Sequence, residues 1–217
     1  MPGGNTVSRE TQRQFAALWH EMGGVSRETE DRLATYVGLL TKWNRAVNLV
    51  GRRSLHEVWQ RHILDCAQLA LWMPPGTPAA HRTLVDLGSG AGLPGLVLAI
   101  LGRGHVHLIE ADQRKAVFLR EAGRQTEAPV TVHAQRVSDM PDIPADVVTA
   151  RAFARLPALL EYARPWLAGG AVGLFPKGRE AAEELTEARR TWKIEAQCAA
   201  SRSHSGGSIV RVTMEAS

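Results

Sequence analysis

From Thr83 onward the hydrophobic pattern changes period repeatedly, and this alternation restricts the possible fold more than any other feature. "TLVDLG" (83–88) is a short continuous apolar run and reads as a buried strand, and "GLPGLVLAILG" (92–102) reads as a helix with Pro94 in its first turn. "HVHLIEA" (105–111) is a second strand, and "DQRKAVFLREAGRQT" (112–126) a helix that turns Ala116, Phe118, Leu119 and Ala122 inward. "VTVHAQR" (130–136) and "DVVTARA" (146–152) are strands three and four. "LPALLEYARPWL" (156–167) is helical until Pro165 disrupts it, "GGAVGLFPKG" (169–178) is strand five, and the charged helix "REAAEELTEARRTW" (179–192) follows. Alternating β and α units predict a parallel sheet with helices on both faces. "KIEAQCAAS" and "SIVRVTME", joined by "RSHSGG", predict a closing antiparallel hairpin.

Residues 1–80 follow a helical period. Phe15, Leu18, Trp19 and Met22 share one face, and Leu33, Tyr36, Val37, Leu40, Trp43 and Val47 another; Ser54 to Trp72 continues the pattern with Leu55, Val58, Ile63 and Leu69. "MPPGTPAAH" (73–81) ends it. The expected organisation is an N-terminal helical extension, residues 1–80, on one compact α/β domain, residues 81–217. The six tryptophans sit among aliphatics and read as core.

The first strand runs into "DLGSGAGLPG", four glycines directly after Asp86. In an open α/β sheet ligands lie beyond the carboxyl ends of the strands, so this loop stands where a ligand would. Gly88, Gly90 and Gly92 let the backbone turn tightly and approach a ligand closely. Gly90, Gly92 and Gly95 also spell G-x-G-x-x-G, the dinucleotide pattern. Asp86 argues against that ligand, because a carboxylate repels a pyrophosphate and favours an amine or sulfonium. Glu110, ending the second strand, suits the ribose hydroxyls of any adenosine and does not choose between them.

The chain of 217 residues carries a formal charge of +4. Lys42, Arg45, Arg52, Arg53 and Arg61 are opposed by Glu57 alone, and Arg151, Arg155, Arg164, Lys177 and Arg179 by Glu161 alone. The two clusters can form one electropositive face for phosphates or can be ordinary solvated surface. His62 and Asp65, at i and i+3, share a helix face and are open to three roles: orienting RNA, binding a cofactor, or locking the extension to the sheet. Asn44 and Asn48 read similarly. Cys66 and Cys198 form no metal spacing, and no apolar run is long enough to span a bilayer; a cytoplasmic monomer without a metal or a membrane partner is expected.

The D-x-G-x-G-x-G form Asp86-Leu87-Gly88-Ser89-Gly90-Ala91-Gly92 resembles motif I of the class I S-adenosylmethionine-dependent methyltransferases, whose sheet is Rossmann-like and closes with an antiparallel hairpin. "NRAVNLV", "RHILDC", "LVDLGSGAGLPGLVLAI", "ARAF" and "PKG", in this order from about Tyr36 to Val212, are similar to the small-subunit rRNA methyltransferase G family. The resemblance implies methyl transfer from S-adenosylmethionine to N7 of a guanosine in a 16S rRNA loop near the decoding site, with 16S rRNA or the small ribosomal subunit as partner. It further implies cofactor contacts from Gly88 and Leu93, from Glu110 with Ala111 and Asp112, and from Val137 and Ser138. Ser138 stands where a carboxylate or amide is usual. Arg151 of "ARAF" and Lys177 of "PKG" match basic positions of the family and are the positioning candidates. No general base is required, because guanine N7 carries no proton. RNA phosphates are expected at Lys42, Arg45, Arg52, Arg53, Arg61, His62, Lys177 and Arg179. A methyltransferase with another acceptor, a dinucleotide-dependent oxidoreductase and a non-catalytic RNA-binding module are the competing readings.

Overall fold

The computed structural model describes residues 8–215; the first seven residues of the predicted extension and the last two of the chain lie outside it. Two capped helices open the chain. Ser8 accepts the Thr11 N–H ahead of α1 (Arg9–Glu21), and Ser26 accepts the Thr29 N–H ahead of α2 (Arg27–Trp43), each hydroxyl satisfying a donor that the first helical turn leaves free.

Instead of the single helix expected from Ser54 to Trp72, the backbone passes through a 3-10 stretch (Arg52–Glu57), a π-helical stretch (Trp59–Leu64), the short α3 (Asp65–Ala67) and another 3-10 stretch (Gln68–Trp72). Residues 62–69 are buried without interruption. A regular amphipathic helix buries one stripe, so packing on every side forces the backbone off the 3.6 period.

Seven strands form one sheet in the order β3-β2-β1-β4-β5-β7-β6. They are β1 (Thr83–Leu87), β2 (His105–Ile109), β3 (Val130–His133), β4 (Val147–Thr149), β5 (Val172–Lys177), β6 (Ile194–Ala200) and β7 (Ser208–Met214). β1 to β5 are parallel, and β7 runs antiparallel to both β5 and β6, as the closing hairpin predicted. The helices between them are α4 (Gly95–Ile100), α5 (Gln113–Gln125), α6 (Leu156–Ala168) and α7 (Ala181–Ala188). Pro94, reached through a cis peptide bond, precedes α4 as its N-cap and is not part of its first turn.

Pro165 does not end its helix: α6 runs on to Ala168. The proline lies on the exposed face, where water can serve the Glu161 carbonyl. Trp166 and Leu167 are buried directly beyond it, and Trp166 Nε1 donates to the Ile143 carbonyl at 2.9 Å, which holds the last turn against the roughly 3 kcal/mol a helical proline costs.

One hydrophobic cluster joins α1, α2 and residues 58–69 to α4, α5 and one face of the sheet; a second packs α6 and α7 on the other face. The extension therefore shares a core with the sheet. The chain moves outward from β1 through β2 to β3 and returns on the other side of β1 as β4. That reversal sets the β1–α4 loop against the segment following β4, at the sheet's carboxyl edge.

Candidate functional site

Two crevices flank this switch point. The first, about 430 Å³, is lined by Gly88, Ile109, Glu110, Ala111, Gln135, Arg136, Val137, Ser138, Ala152, Phe153 and Tyr162. The glycine loop is its floor. Gly88 has φ +62, and a Cβ there would lie 2.3 Å from Phe153 Cδ2. Glu110 holds the loop's shape: its Oε2 accepts the Gly90 N–H and its Oε1 the Asp112 N–H, both at 2.8 Å. A carboxylate has about four acceptor sites, so about two remain for a ligand. The N-terminal extension reaches the same loop, since the Tyr36 hydroxyl of α2 donates to the Ala91 carbonyl at 2.7 Å.

The other loop residues serve packing. A Cβ on Gly92 would meet Leu96 Cβ at 2.8 Å, and one on Gly95 would meet Leu108 Cδ2 at 2.6 Å. Leu93 is buried, and Asp112 caps α5 by accepting the Arg114 and Lys115 N–H groups. Gly90, Gly92, Leu93 and Asp112 do not line the crevice; Gly88, Glu110, Ala111, Val137 and Ser138 do. The Ser138 hydroxyl is turned onto Asp139 Oδ1, 2.8 Å away.

Asp86 is also placed differently from the sequence reading. It is fully buried and lines neither crevice. Its Oδ1 accepts from Thr149 Oγ1 at 2.7 Å, while Oδ2 lies against Gly95, within 2.8 Å of where a Cβ would stand. Burial pushes its pKa up to about 6, against the lowering effect of the Thr149 hydrogen bond. The carboxyl group thus packs beneath the start of α4 and not in the crevice, where the sequence places it against a cation.

The second crevice, about 480 Å³, is basic; Arg61, His62, Arg151, Arg155, Lys177 and His204 line it together with Asp65, Glu184 and Phe153. Members of both sequence clusters meet here, but several are already engaged. Arg151 Nη2 lies 2.7 Å from His62 Nδ1, and its Nη1 is 3.5 Å from both Cys66 Sγ and Asp65 Oδ2. A guanidinium only donates, so Nδ1 accepts and Nε2–H donates to Ser54 Oγ at 2.8 Å; the Ser54 hydroxyl in turn donates a hydrogen bond to the Gly51 carbonyl. Asp65 Oδ1 also accepts from Gln68, Ser201 and Ser203, so the β6–β7 turn docks on the extension. These contacts of His62 and Asp65 tie the extension to the sheet, and both residues also line the basic crevice.

Arg151 faces this crevice and does not line the first. Lys177 Nζ is held by Glu184 Oε2 at 2.7 Å and the Ala154 carbonyl at 2.8 Å, a buried pair that braces the segment after β4. Lys42, Arg45, Arg52, Arg53 and Arg179 are exposed and line neither crevice. Among the described residues none of these five has a carboxylate oxygen within 4.0 Å, whereas Arg61 is 3.6 Å from Glu57. Asn44 closes the 44–50 turn, accepting the Leu49 and Val50 N–H groups. Phe153, Tyr36 and the Ser201–Ser203 turn have no counterpart in the sequence reading. Their only signal was position: Phe153 in "ARAF", Tyr36 on a core stripe, the serines in what reads as a linker.

Burial, with the charges of Arg151 and Arg61, pushes His62 down to about 3. A histidine depressed in the folded state is protonated first in the unfolded chain, so its contribution is intact above pH 6.5 and is lost as pH falls from there toward 3. Acidifying from pH 7 to 5 costs about 2 kcal/mol through this ring. His62→Gln keeps an acceptor for Arg151, and its melting temperature is expected to fall less than the wild type's over that interval; parallel curves would show that the ring does not carry the acid sensitivity.

The sequence model described as rRNA small subunit methyltransferase G matches residues 29–209. The chain is 57% identical over 190 residues to the Ribosomal RNA small subunit methyltransferase G of Rhodospirillum centenum, covering 88% of this chain and 86% of that one. It is 52% identical over 188 residues to the protein of the same name from Rhodospirillum rubrum, covering 87% and 92%. Among solved structures it is similar to ribosomal protein L11 methylase from Lactobacillus delbrueckii subsp. bulgaricus, with TM-score 0.57, 14% identity, and 70% and 79% of the two chains covered. It is also similar to a mutant of MtNAS in complex with S-adenosylmethionine, with TM-score 0.60, 12% identity, and 85% and 75% covered. At these identities the structural likeness is one of fold.

Proposed function

The chain belongs to the rRNA small subunit methyltransferase G family, and from that premise we propose that it transfers a methyl group from S-adenosylmethionine to N7 of a guanosine in 16S rRNA. The observation that supports this best is the pair of crevices meeting at one switch point, one with apolar walls and the acceptor oxygens of Glu110, the other lined by basic side chains paired with carboxylates. In the first, Ile109, Ala111 and Val137 offer apolar walls to a purine, Gly88 a floor without a side chain beside the Phe153 ring, and Glu110 acceptor sites for ribose hydroxyls. S-adenosylmethionine, when bound, supplies an electrophilic methyl group on a sulfonium.

The chain's own residues have a limited task, because N7 presents a lone pair and no proton has to be removed first. General-base catalysis is not needed. His62, which lines the basic crevice, has its acceptor nitrogen committed to Arg151. The protein aligns the acceptor with the methyl group, a contribution of orientation. Arg151 and Lys177 act in this scheme as positioning residues, one fixing the extension to the end of β4, the other bracing the following turn. Arg45, Arg52 and Arg53, without carboxylate partners among the described residues, are the surface residues assigned to RNA phosphates, with Arg61 in the lining of the basic crevice. No group of His, Cys, Asp or Glu among the described residues is arranged to hold a metal, and no helix among them is long and apolar enough to cross a membrane.

The test is transfer of labelled methyl to purified small subunits and to protein-free 16S rRNA, followed by mapping of 7-methylguanosine. One modified guanosine is expected; unlabelled RNA, or label on another atom, would refute the assignment. Arg52→Ala combined with Arg53→Ala is expected to weaken RNA binding and to reduce the slope of log affinity against log salt by about 1 to 2. A wild-type slope would remove that pair from the interface.

A further inference from the structure

We propose that Phe153 is the residue on which the acceptor guanine stacks, its ring forming the wall shared by the two crevices; this deepens the methyltransferase reading and rests on it. Phe153 lines both crevices. Its ring lies on Gly88, occupying the room a side chain would need there, with Cδ2 and Cε2 only 2.3 and 2.8 Å from the position of the missing Cβ. Tyr162 meets it edge-on, with centroids 5.2 Å apart and planes at 82°. Ala152 and Phe153 are the two residues that the crevices share, and Phe153 alone of them is aromatic.

The segment bearing Phe153 is braced along its length. Arg151, before it, is tied to His62 and Asp65 of the extension. Ala152 takes the left-handed conformation, φ 52, which a residue with a Cβ adopts only under constraint. Lys177 holds the Ala154 carbonyl, and Glu184 accepts the Leu156 N–H at 2.7 Å. A ring that only filled space in the core would be covered. This one is partly exposed, at the crossing of two crevices, on a turn fixed from both sides.

The chemistry gives such a ring a role. As the N7 lone pair forms its bond to the methyl carbon, the carbon–sulfur bond breaks with its electron pair going to sulfur. Sulfur becomes a neutral thioether, the purine takes the positive charge, and no proton is released. An unpaired base stacks readily on an aromatic face, and the ring quadrupole attracts a cation. The attraction grows as charge reaches the purine, so it is stronger in the transition state than in the starting complex and accelerates the reaction.

Fluorination tests this because it drains the quadrupole while keeping the ring's shape. Full-length protein carrying 4-fluoro-, 3,5-difluoro- or pentafluoro-phenylalanine at position 153 is assayed in single turnover on small subunits, with S-adenosylhomocysteine affinity measured by calorimetry. The rate is expected to fall stepwise, by about tenfold across the series, while the affinity stays within about threefold. Phe153→Leu is expected to lose a similar factor and Phe153→Trp to retain wild-type turnover. A rate indifferent to fluorine, or a loss confined to cofactor affinity, overturns the proposal. If wild-type protein puts no methyl on guanine N7, both readings fall; if only the fluorine series is flat, this one falls alone.

Discussion

Gly88→Ala is expected to lower affinity for S-adenosylmethionine by at least about a hundredfold while leaving the far-ultraviolet circular dichroism unchanged. The added methyl group meets two obstacles. The backbone at Gly88 is left-handed, which costs a residue with a Cβ about 1–2 kcal/mol. The methyl would also stand 2.3 Å from the Phe153 ring, at the floor of the crevice. Phe153 is partly exposed and can swing aside, so the damage falls on the crevice and spares the core. Gly92→Ala provides the contrast. Its Cβ would meet buried Leu96 and Leu119, and a loss of about 2–3 kcal/mol of stability is expected, as for overpacking. At Gly90 a Cβ meets nothing closer than 3.8 Å, so Gly90→Ala carries backbone strain alone. Calorimetric titration and thermal melting of the three variants separate the effects. Near wild-type affinity in Gly88→Ala would mean that the cofactor does not lie on this floor.

Arg151→Ala should be the most destabilising change at the switch point. It removes the partner of His62 Nδ1 and the cation beside Asp65, whose side chain is only 6% exposed. Deleting one member of a buried ion pair costs about 3–5 kcal/mol, mostly from the charge left behind. Asp65 keeps its bonds from Gln68, Ser201 and Ser203, which places the expected loss at about 3 kcal/mol, the lower end. Asp65→Asn in the Arg151→Ala background removes the stranded charge, and a coupling of at least about 1 kcal/mol between the two sites is expected from a double-mutant cycle in urea. Additive losses would show that the pair contributes no mutual stabilisation. Turnover on RNA should fall with Arg151→Ala more than stability alone explains, because the turn bearing Phe153 loses its anchor to the extension.

Much of the fold was legible because the sheet's apolar runs are short, continuous and punctuated. β1, β2, β4 and β5 lie within the predicted runs, and "RSHSGG" marked the hairpin. Residues 52–72 were harder to read, since the stretch 62–69, buried on all sides, retains the hydrophobicity of a helix while losing its geometry. Pro165 misled because propensity is local, while the anchoring of Trp166 and Leu167 is tertiary. At the site, residue types pointed to a loop that lines a crevice but not to what each side chain does there. Asp86 and Lys177 illustrate the limit: charge and position singled them out, yet Thr149 and Glu184, which engage them, lie on separate elements. Phe153 acquires its place only when β4 returns beside β1, and no spacing along the chain carries that information.

On the proposed function, the Gly88–Glu110–Val137 crevice receives the adenosine and the reacting end of the cofactor points toward Phe153 and the basic side. A crystal structure of the full chain with S-adenosylhomocysteine measures this directly. Ribose hydroxyls on Glu110, the purine beside Val137 and the sulfur facing Phe153 are the predicted result. Ligand lodged between Arg61 and Arg151, with the Glu110 side empty, would contradict it.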